Sequence, residues 1–303
     1  MTTQKRGWFF EYLLLGLIWG SSFLLIHEGL ASFTPFGLVF WRLFSGALAL
    51  FVVVLARKLV INRNLKQWLL VGAGGLFMNA IPFVLFAYAQ QHVTSILAAI
   101  MNATTPIMTL LALLTLFRSE KLRPNVIVGL LIGLAGVMVV LAVWQGFGQN
   151  DPLAVFALLG ATICYGIGGP FIVRFVAPLK IANEMSAFIQ ISFAAVAVLP
   201  FYLFSPMSPA APTLTAVVSV AVLGAVGTGF AYILYYRVIA AAGSAIANSV
   251  TYLTPLVAAM LGVIILSEPL HWYEPVGGVV VVLGALISQN RLAGITAKMA
   301  RRK

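Results

Sequence analysis

Charge is scarce in this chain. Asp, Glu, Lys and Arg make up 8% of its 303 residues, and only 7 residues are acidic. A soluble domain carries about 25% charged residues, so a soluble enzyme or binding module is excluded. There is one cysteine, Cys164, inside an apolar segment. That excludes an intrachain disulfide and fits a small packing residue. The three histidines, His27, His92 and His271, all fall near segment ends, and no His-Glu-x-x-His pattern occurs. A membrane-embedded protease or metalloenzyme, the remote alternative class, would need a Ser/His pair or a metal cluster at membrane depth. No metal and no cofactor is expected.

The acidic residues also avoid the middle of every apolar segment. Glu11 and Glu184 lie near ends of one kind, and Glu28, Asp151, Glu268 and Glu274 near ends of the other. Glu120 is in a loop. Proton-coupled exporters use a titratable group at mid-membrane, so facilitated transport is the expectation. Glu11, one to two turns into the first segment, is the remaining candidate for proton coupling.

Apolar residues, by contrast, make up 62% of the chain. A span of the hydrocarbon core needs about 20 of them in a helix. Ten such stretches can be read, at roughly 8–28, 35–56, 67–90, 94–117, 124–143, 152–173, 182–204, 213–237, 244–266 and 272–290. The expected fold is an all-α polytopic membrane protein. Residues 1–30 have the regional order of a signal peptide. The apolar stretch is long, however, and no small-x-small site follows it, so it is read as the first span.

The net charge of +11 is not a nucleic-acid signature. Apart from Arg42, the basic residues fall at the N-terminus, in alternate loops and in the tail 291–303. This positive-inside pattern places both termini in the cytoplasm. The basic tail reads as a topology and lipid-headgroup anchor. The expected partners are the bilayer and a small-molecule substrate, without nucleic acid, in a monomer of the bacterial inner membrane.

The second half of the chain repeats the first. The stretch Thr105-Pro106, an apolar run, Ser119-Glu120 and Leu122 is matched by Thr254-Pro255, Ser267-Glu268 and Leu270. Gly129 and Gly136 are matched by Gly277 and Gly284. The offset is 149 residues at the prolines and 148 from the glutamates onward. Five spans fall in each of two repeats, 1–143 and 152–290, joined by an external linker at 144–151. An odd number of spans per repeat sends the two through the membrane in opposite directions. Inverted repeats of this kind give alternating access around a central cavity.

Pro106 and Pro255 sit at mid-span, and each is expected to kink its helix and disturb the carbonyl four residues earlier. Thr94, Ala98, Asn102, Thr105 and Thr109 share one helical face, as do Ser244, Asn248, Thr251, Pro255 and Gly262. Asn79, Phe83, Phe86 and Gln90 form a face in the third span, and Thr228, Tyr232 and Tyr235 form one in the eighth. The run Tyr165-Gly166-Ile167-Gly168-Gly169-Pro170 is expected to be irregular. Arg42, seven residues from Pro35, lies about 10 Å below the external surface and is a candidate holder of a substrate carboxylate. Trp19 is the tryptophan farthest from any interface. Gly16 and Gly20, Gly129 and Gly133, and Gly224 and Gly227 have helix-packing spacing.

At these residues the chain resembles the EamA-type branch of the drug/metabolite transporter superfamily. The matching features are Trp19-Gly20-Ser21-Ser22-Phe23, Pro35 followed by Arg42, both Thr-Pro spans and both Ser-Glu-x-Leu tails. The resemblance implies ten helices in two inverted five-helix repeats, a central cavity and export of small metabolites. The YddG-like group within the family points to aromatic and other neutral amino acids. A proton-coupled exporter of drugs or nucleotide-type metabolites is the alternative. Small multidrug transporters carry a mid-helix carboxylate in the first span, where this chain has Trp19 and Gly20. The expected substrate contacts are Trp19, Arg42, Asn79, Phe83, Asn102, Tyr165, Thr228, Tyr232, Asn248 and Tyr252.

Overall fold

Helix is the only regular structure among the described residues of the computed structural model, which are 4–59, 64–118, 124–145, 151–205, 211–242, 247 and 249–288. Lipid offers no hydrogen bonds to the backbone, so each span must satisfy its own amides. Helices α1 (Gln4–Leu30) and α2 (Pro35–Ala56) are unbroken. The third span joins α3 (Leu65–Gly75), a π-helical turn at Leu76–Ala80 and α4 (Ile81–Ala89). The fourth is divided into α5 (Ser95–Asn102) and α6 (Thr105–Thr115). Then come α7 (Pro124–Val140), α8 (Pro152–Phe171) with a π-helical turn at Ile172–Val176, and α9 (Asn183–Phe204). Next, α10 (Leu214–Gly224) leads through a π-helical turn at Ala225–Phe230 into α11 (Ala231–Ala242). A 3-10 turn at Ser249–Tyr252 precedes α12 (Thr254–Ile265), and α13 (Tyr273–Ser288) follows.

Seven of these segments are long and apolar enough to cross a membrane, and three shorter apolar helices accompany them. The chain is therefore a multi-pass helical membrane protein. Its outer surface agrees, because large apolar side chains such as Phe156, Phe204 and Leu214 face outward.

Helix starts follow local chemistry. Thr34 Oγ1 accepts from Gly37 N, Thr94 Oγ1 from Leu97 N and Thr213 Oγ1 from Ala216 N, each satisfying an amide with no partner inside its helix. Pro35 and Pro152 occupy first-turn positions where the missing N–H costs nothing. Glu268 caps a helix from the far half of the chain. Its carboxylate accepts from Ser95 N at 2.8 Å, Ser95 Oγ at 2.8 Å and Ile96 N at 3.2 Å. A carboxylate is favoured there by the partial positive charge of the α5 N-terminus. Its repeat mate Glu120 lies outside the described residues.

Glycine sets the closest helix contacts. Helices α7 and α13 pack along their length, and the glycines that mark the sequence repeat face the other helix. A Cβ on Gly136 would sit 2.6 Å from Val281 N, and one on Gly277 would sit 2.6 Å from Val140 N. Gly20 of α1 faces Val257, and Gly16 faces Leu253, so α1 lies against the start of α12.

The run at 165–170 corrects an expectation. It is helical throughout, with Pro170 inside α8, and the π-helical turn follows the proline. Leaving the helix would strand amides in an apolar medium, so these glycines serve packing instead. A Cβ on Gly166 would meet the Met108 backbone at 2.6 Å, and one on Gly168 would meet Met78 Sδ at 2.7 Å.

Gly136→Leu should therefore overpack the α7–α13 seam and destabilise the protein by about 1–3 kcal/mol. Gly160→Ala, whose Cβ would meet only Leu85 Cδ1 at 3.4 Å, should be near neutral. Thermal unfolding in detergent, followed by circular dichroism, separates the two.

Candidate substrate cavity

Two helix interruptions meet at the centre of the bundle. In the fourth span the helix stops at Asn102 and resumes at Thr105. Pro106 has no N–H, and Thr104 Oγ1 donates to Met101 O at 2.8 Å while Thr109 Oγ1 donates to Thr105 O at 2.9 Å. Between the 3-10 turn and α12 the chain turns at Leu253, and Thr254 Oγ1 donates to Thr251 O at 2.9 Å. Both prolines thus open the first turn of a new helix rather than bending a continuous one. Threonine hydroxyls take up carbonyls at each break.

These breaks border a cavity with an empty volume of about 850 Å³, its open side included. Trp19, Ser22, Phe23 and Ile26 line it from α1, and Arg42 from α2. The third span gives Met78, Phe83 and Phe86, and the fourth gives Asn102, Thr105 and Thr109. Tyr165 and Gly169 come from α8, Tyr232 and Tyr235 from α11, and Thr251 from the 3-10 turn. The rings of the wall fall into two contacting groups. Trp19 lies 5.4 Å from Tyr235 and 6.2 Å from Tyr232 between centroids, and Phe86 stacks on Tyr165 at 6.1 Å.

Arg42 is 5% exposed. Its Nε donates to Thr228 Oγ1 at 2.9 Å, and its guanidinium carbon lies 3.6 Å from the centre of the Phe83 ring. The Thr228 hydroxyl donates in turn to Leu223 O at 3.1 Å, five residues back. That carbonyl lies at the entrance to the π-helical turn, so one hydroxyl serves both the helix irregularity and the arginine. Gly224 permits the approach, since a Cβ there would collide with Arg42 O.

A second polar cluster lies behind the wall. Gln190 Nε2 donates to Asn79 Oδ1 at 2.6 Å, and Asn79 Nδ2 donates to Tyr232 Oη at 2.9 Å. Tyr232 Oη donates to Met78 O at 3.1 Å, and Tyr236 Oη donates to Gln190 Oε1 at 3.0 Å. Met78 O is the carbonyl that Pro82 cannot bond, four residues on. Residues 79 and 228 are 149 apart, and 42 and 190 are 148 apart, so the two donor–acceptor pairs stand at the repeat offset.

Contacts join the spans beside the Gln90 end of the cavity. Helix α5 packs on α12, Phe23 meets Phe86 edge to face at 5.9 Å, and Gln90 Nε2 donates to Phe23 O at 3.1 Å. Gln90 Oε1 is buried and has no partner among the described residues.

Of the expected contacts, Trp19, Arg42, Phe83, Asn102, Tyr165 and Tyr232 come together on the cavity wall. Asn79 and Thr228 are fully buried behind it, each holding a wall residue. Tyr252 packs with Ala103, Ile107 and Val281, away from the lining. Asn248 lies outside the described residues. Ser22, Phe23, Ile26 and Met78 were not expected. The first three were detectable, because with Trp19 they recur at positions 0, 3, 4 and 7 of one helical face. Glu11, the proton-coupling candidate, is paired with Arg237 at 3.3 Å and does not line the cavity.

Interrupted spans around a central cavity that combines aromatic rings with a buried cation have the architecture of a membrane transporter. The chain belongs to the EamA-like transporter family, whose pattern matches residues 7–142 and again residues 152–289. It is 27% identical over 281 residues to the "Uncharacterized inner membrane transporter YedA" of Escherichia coli K12, covering 91% of this chain and 89% of that one. It is 26% identical over 299 residues to the "Uncharacterized transporter YoaV" of Bacillus subtilis, covering 95% and 96%. A solved crystal structure at 21% identity shares the fold with a TM-score of 0.65, over 94% of this chain and 96% of the other.

The buried cluster gives a direct test. Asn79→Ala should strand Gln190 Nε2 and remove a donor to Tyr232, costing about 1–3 kcal/mol. Thr109→Val, which loses only a bond within its own helix, should cost under about 1 kcal/mol. Thermal unfolding of the two purified variants reads the difference.

Proposed function

We propose that this transporter exports small metabolites, first among them neutral and aromatic amino acids, by alternating access through the central cavity. The observation that carries the reading is that both helix breaks, at 103–104 and at 253, border one cavity. Discontinuous helices meeting at mid-span are how transporters expose polar groups to a substrate without exposing them to lipid. The aromatic wall favours an apolar or aromatic substrate body.

The proposed arrangement is ten spans in two inverted repeats, 1–143 and 152–290, with both termini cytoplasmic, in a bacterial inner membrane. The matched π-helical turns, helix breaks and buried hydrogen bonds at an offset of 148 or 149 support the repeat. The orientation rests on the basic residues at the end where α1 begins. Arg57, paired with Glu184, and Arg237, paired with Glu11, belong to that end. The end that holds Gln90 and the start of α5, proposed as the closed one, is then external. Among the described lining residues there is neither a carboxylate nor a histidine, so the proposed mode is facilitation along a gradient.

Counterflow of labelled amino acids into proteoliposomes tests the reading. Phenylalanine and other neutral amino acids should exchange. Trp19→Ala and Asn102→Ala should lower flux by about tenfold, the equivalent of about 1.4 kcal/mol of lost contact, with folded protein retained. Absence of counterflow for every neutral and aromatic amino acid would refute the substrate assignment.

A further inference from the structure

We infer that the cavity selects its substrate by a single carboxylate, and that the two Nη groups of Arg42 are the receptor for it. The inference rests on the reading of this cavity as the transport path and narrows the substrate class within it.

Arg42 is a buried cation in want of an anion. It lines the cavity, and none of the described lining residues is acidic. The ion pairs among the described residues join Arg57 to Glu184, Arg237 to Glu11, His92 to Asp151 and His271 to Glu274. The Glu268 carboxylate is taken by the start of α5. A guanidinium held in an apolar bundle without a counter-charge is unfavourable, so an incoming anion gains what the protein alone does not supply.

The geometry defines how that anion binds. Nε is committed to Thr228 Oγ1 at 2.9 Å, and one face of the guanidinium is covered by Phe83 at 3.6 Å. Neither Nη has a hydrogen-bond partner among the described residues. What remains is the end-on pair of Nη donors, whose fork matches the two oxygens of a carboxylate. Thr228 fixes the plane of that fork, because its own proton is used by Leu223 O. Thr228 is therefore a positioning residue for the receptor.

The charge count narrows the class further. No second Lys or Arg lines the cavity among the described residues. One cation balances a carboxylate and falls short of a phosphate dianion. A bare organic cation meets a buried positive charge and no carboxylate to offset it. The substrate is thus a monocarboxylate or a zwitterion whose apolar body lies against Trp19, Phe86 and Tyr165. A zwitterion's ammonium has candidate oxygen acceptors in Asn102 and Tyr165, which line the same cavity.

Four probes with one aromatic ring test this on the purified full-length protein, read by ligand-induced thermal stabilisation and tryptophan fluorescence. They are 3-phenylpropanoate, phenylalanine, 2-phenylethylamine and phenyl phosphate. The two carboxylates should bind at least tenfold more tightly than the amine and the phosphate. Arg42→Gln should reduce carboxylate binding at least tenfold. Arg42→Lys should restore part of it, and Thr228→Val should give an intermediate loss with the guanidinium still present. Equal or tighter binding of the amine would overturn the inference, as would binding of neither carboxylate. So would unchanged carboxylate binding in a folded Arg42→Gln. The probe series uses the native chain, so misfolding of a variant leaves the test intact. Flux of 2-phenylethylamine in place of carboxylates would defeat the anion receptor and leave cavity transport standing. Carboxylate binding without amino-acid counterflow would do the reverse.

Discussion

An apolar solvent around the backbone is the constraint on which the rest of this structure depends. Where a span departs from α-helix, a side chain must replace the hydrogen bond that water would otherwise supply. Thr104 and Thr254 do this at the breaks that precede α6 and α12, Thr228 at the π-helical turn before α11, and Tyr232 at the carbonyl that Pro82 leaves free. The same side chains build the site. Tyr232 satisfies Met78 O and presents its ring to the cavity, and Thr228 satisfies Leu223 O and pins Arg42. The polar groups of the cavity are therefore extensions of the repairs to the backbone.

Packing and charge are joined through α2. Gly224 and Gly46 bring α2 against the end of α10, so closely that a Cβ on Gly46 would lie 2.9 Å from Gly224 O. That contact sets Arg42 beside Thr228 and over Phe83. The other pair, Gln190 with Asn79, occupies the repeat-related positions and is closed on itself by Tyr232 and Tyr236. One pair thus belongs to a neutral, hydrogen-bonded cluster and the other carries a cation without a counter-charge among the described residues. The asymmetry gives the cavity its chemical preference within a framework of matched elements.

Much of this was legible in the sequence because the medium is so restrictive. Apolar length located the spans, and proline with threonine located both breaks, since Pro106 and Pro255 each remove a donor at mid-span. Arg42, Trp19 and Tyr232 were conspicuous as polar or large groups at a depth where lipid tolerates few. Helical spacing placed Asn79 with Phe83 and Thr228 with Tyr232, but spacing defines a face only to within about a quarter turn. It does not say which neighbour covers each edge, and so Asn79 and Thr228 lie one layer behind the wall. The glycines at 166 and 168 were misread as irregular backbone. Their role depends on Met108 and Met78 from other spans, which no local pattern encodes.

The central claim is that one cavity opens alternately to the two sides of the membrane. Single cysteines at Ser22, toward the closed end, and at Thr109, toward the opposite end, test it in a Cys164→Ser background. Their reaction with a membrane-impermeant thiol reagent would be measured from each side, with and without transported amino acid. The account predicts that substrate raises reactivity at one position and lowers it at the other. Reactivity that moves in the same direction at both, or that substrate leaves unchanged at both, would contradict it.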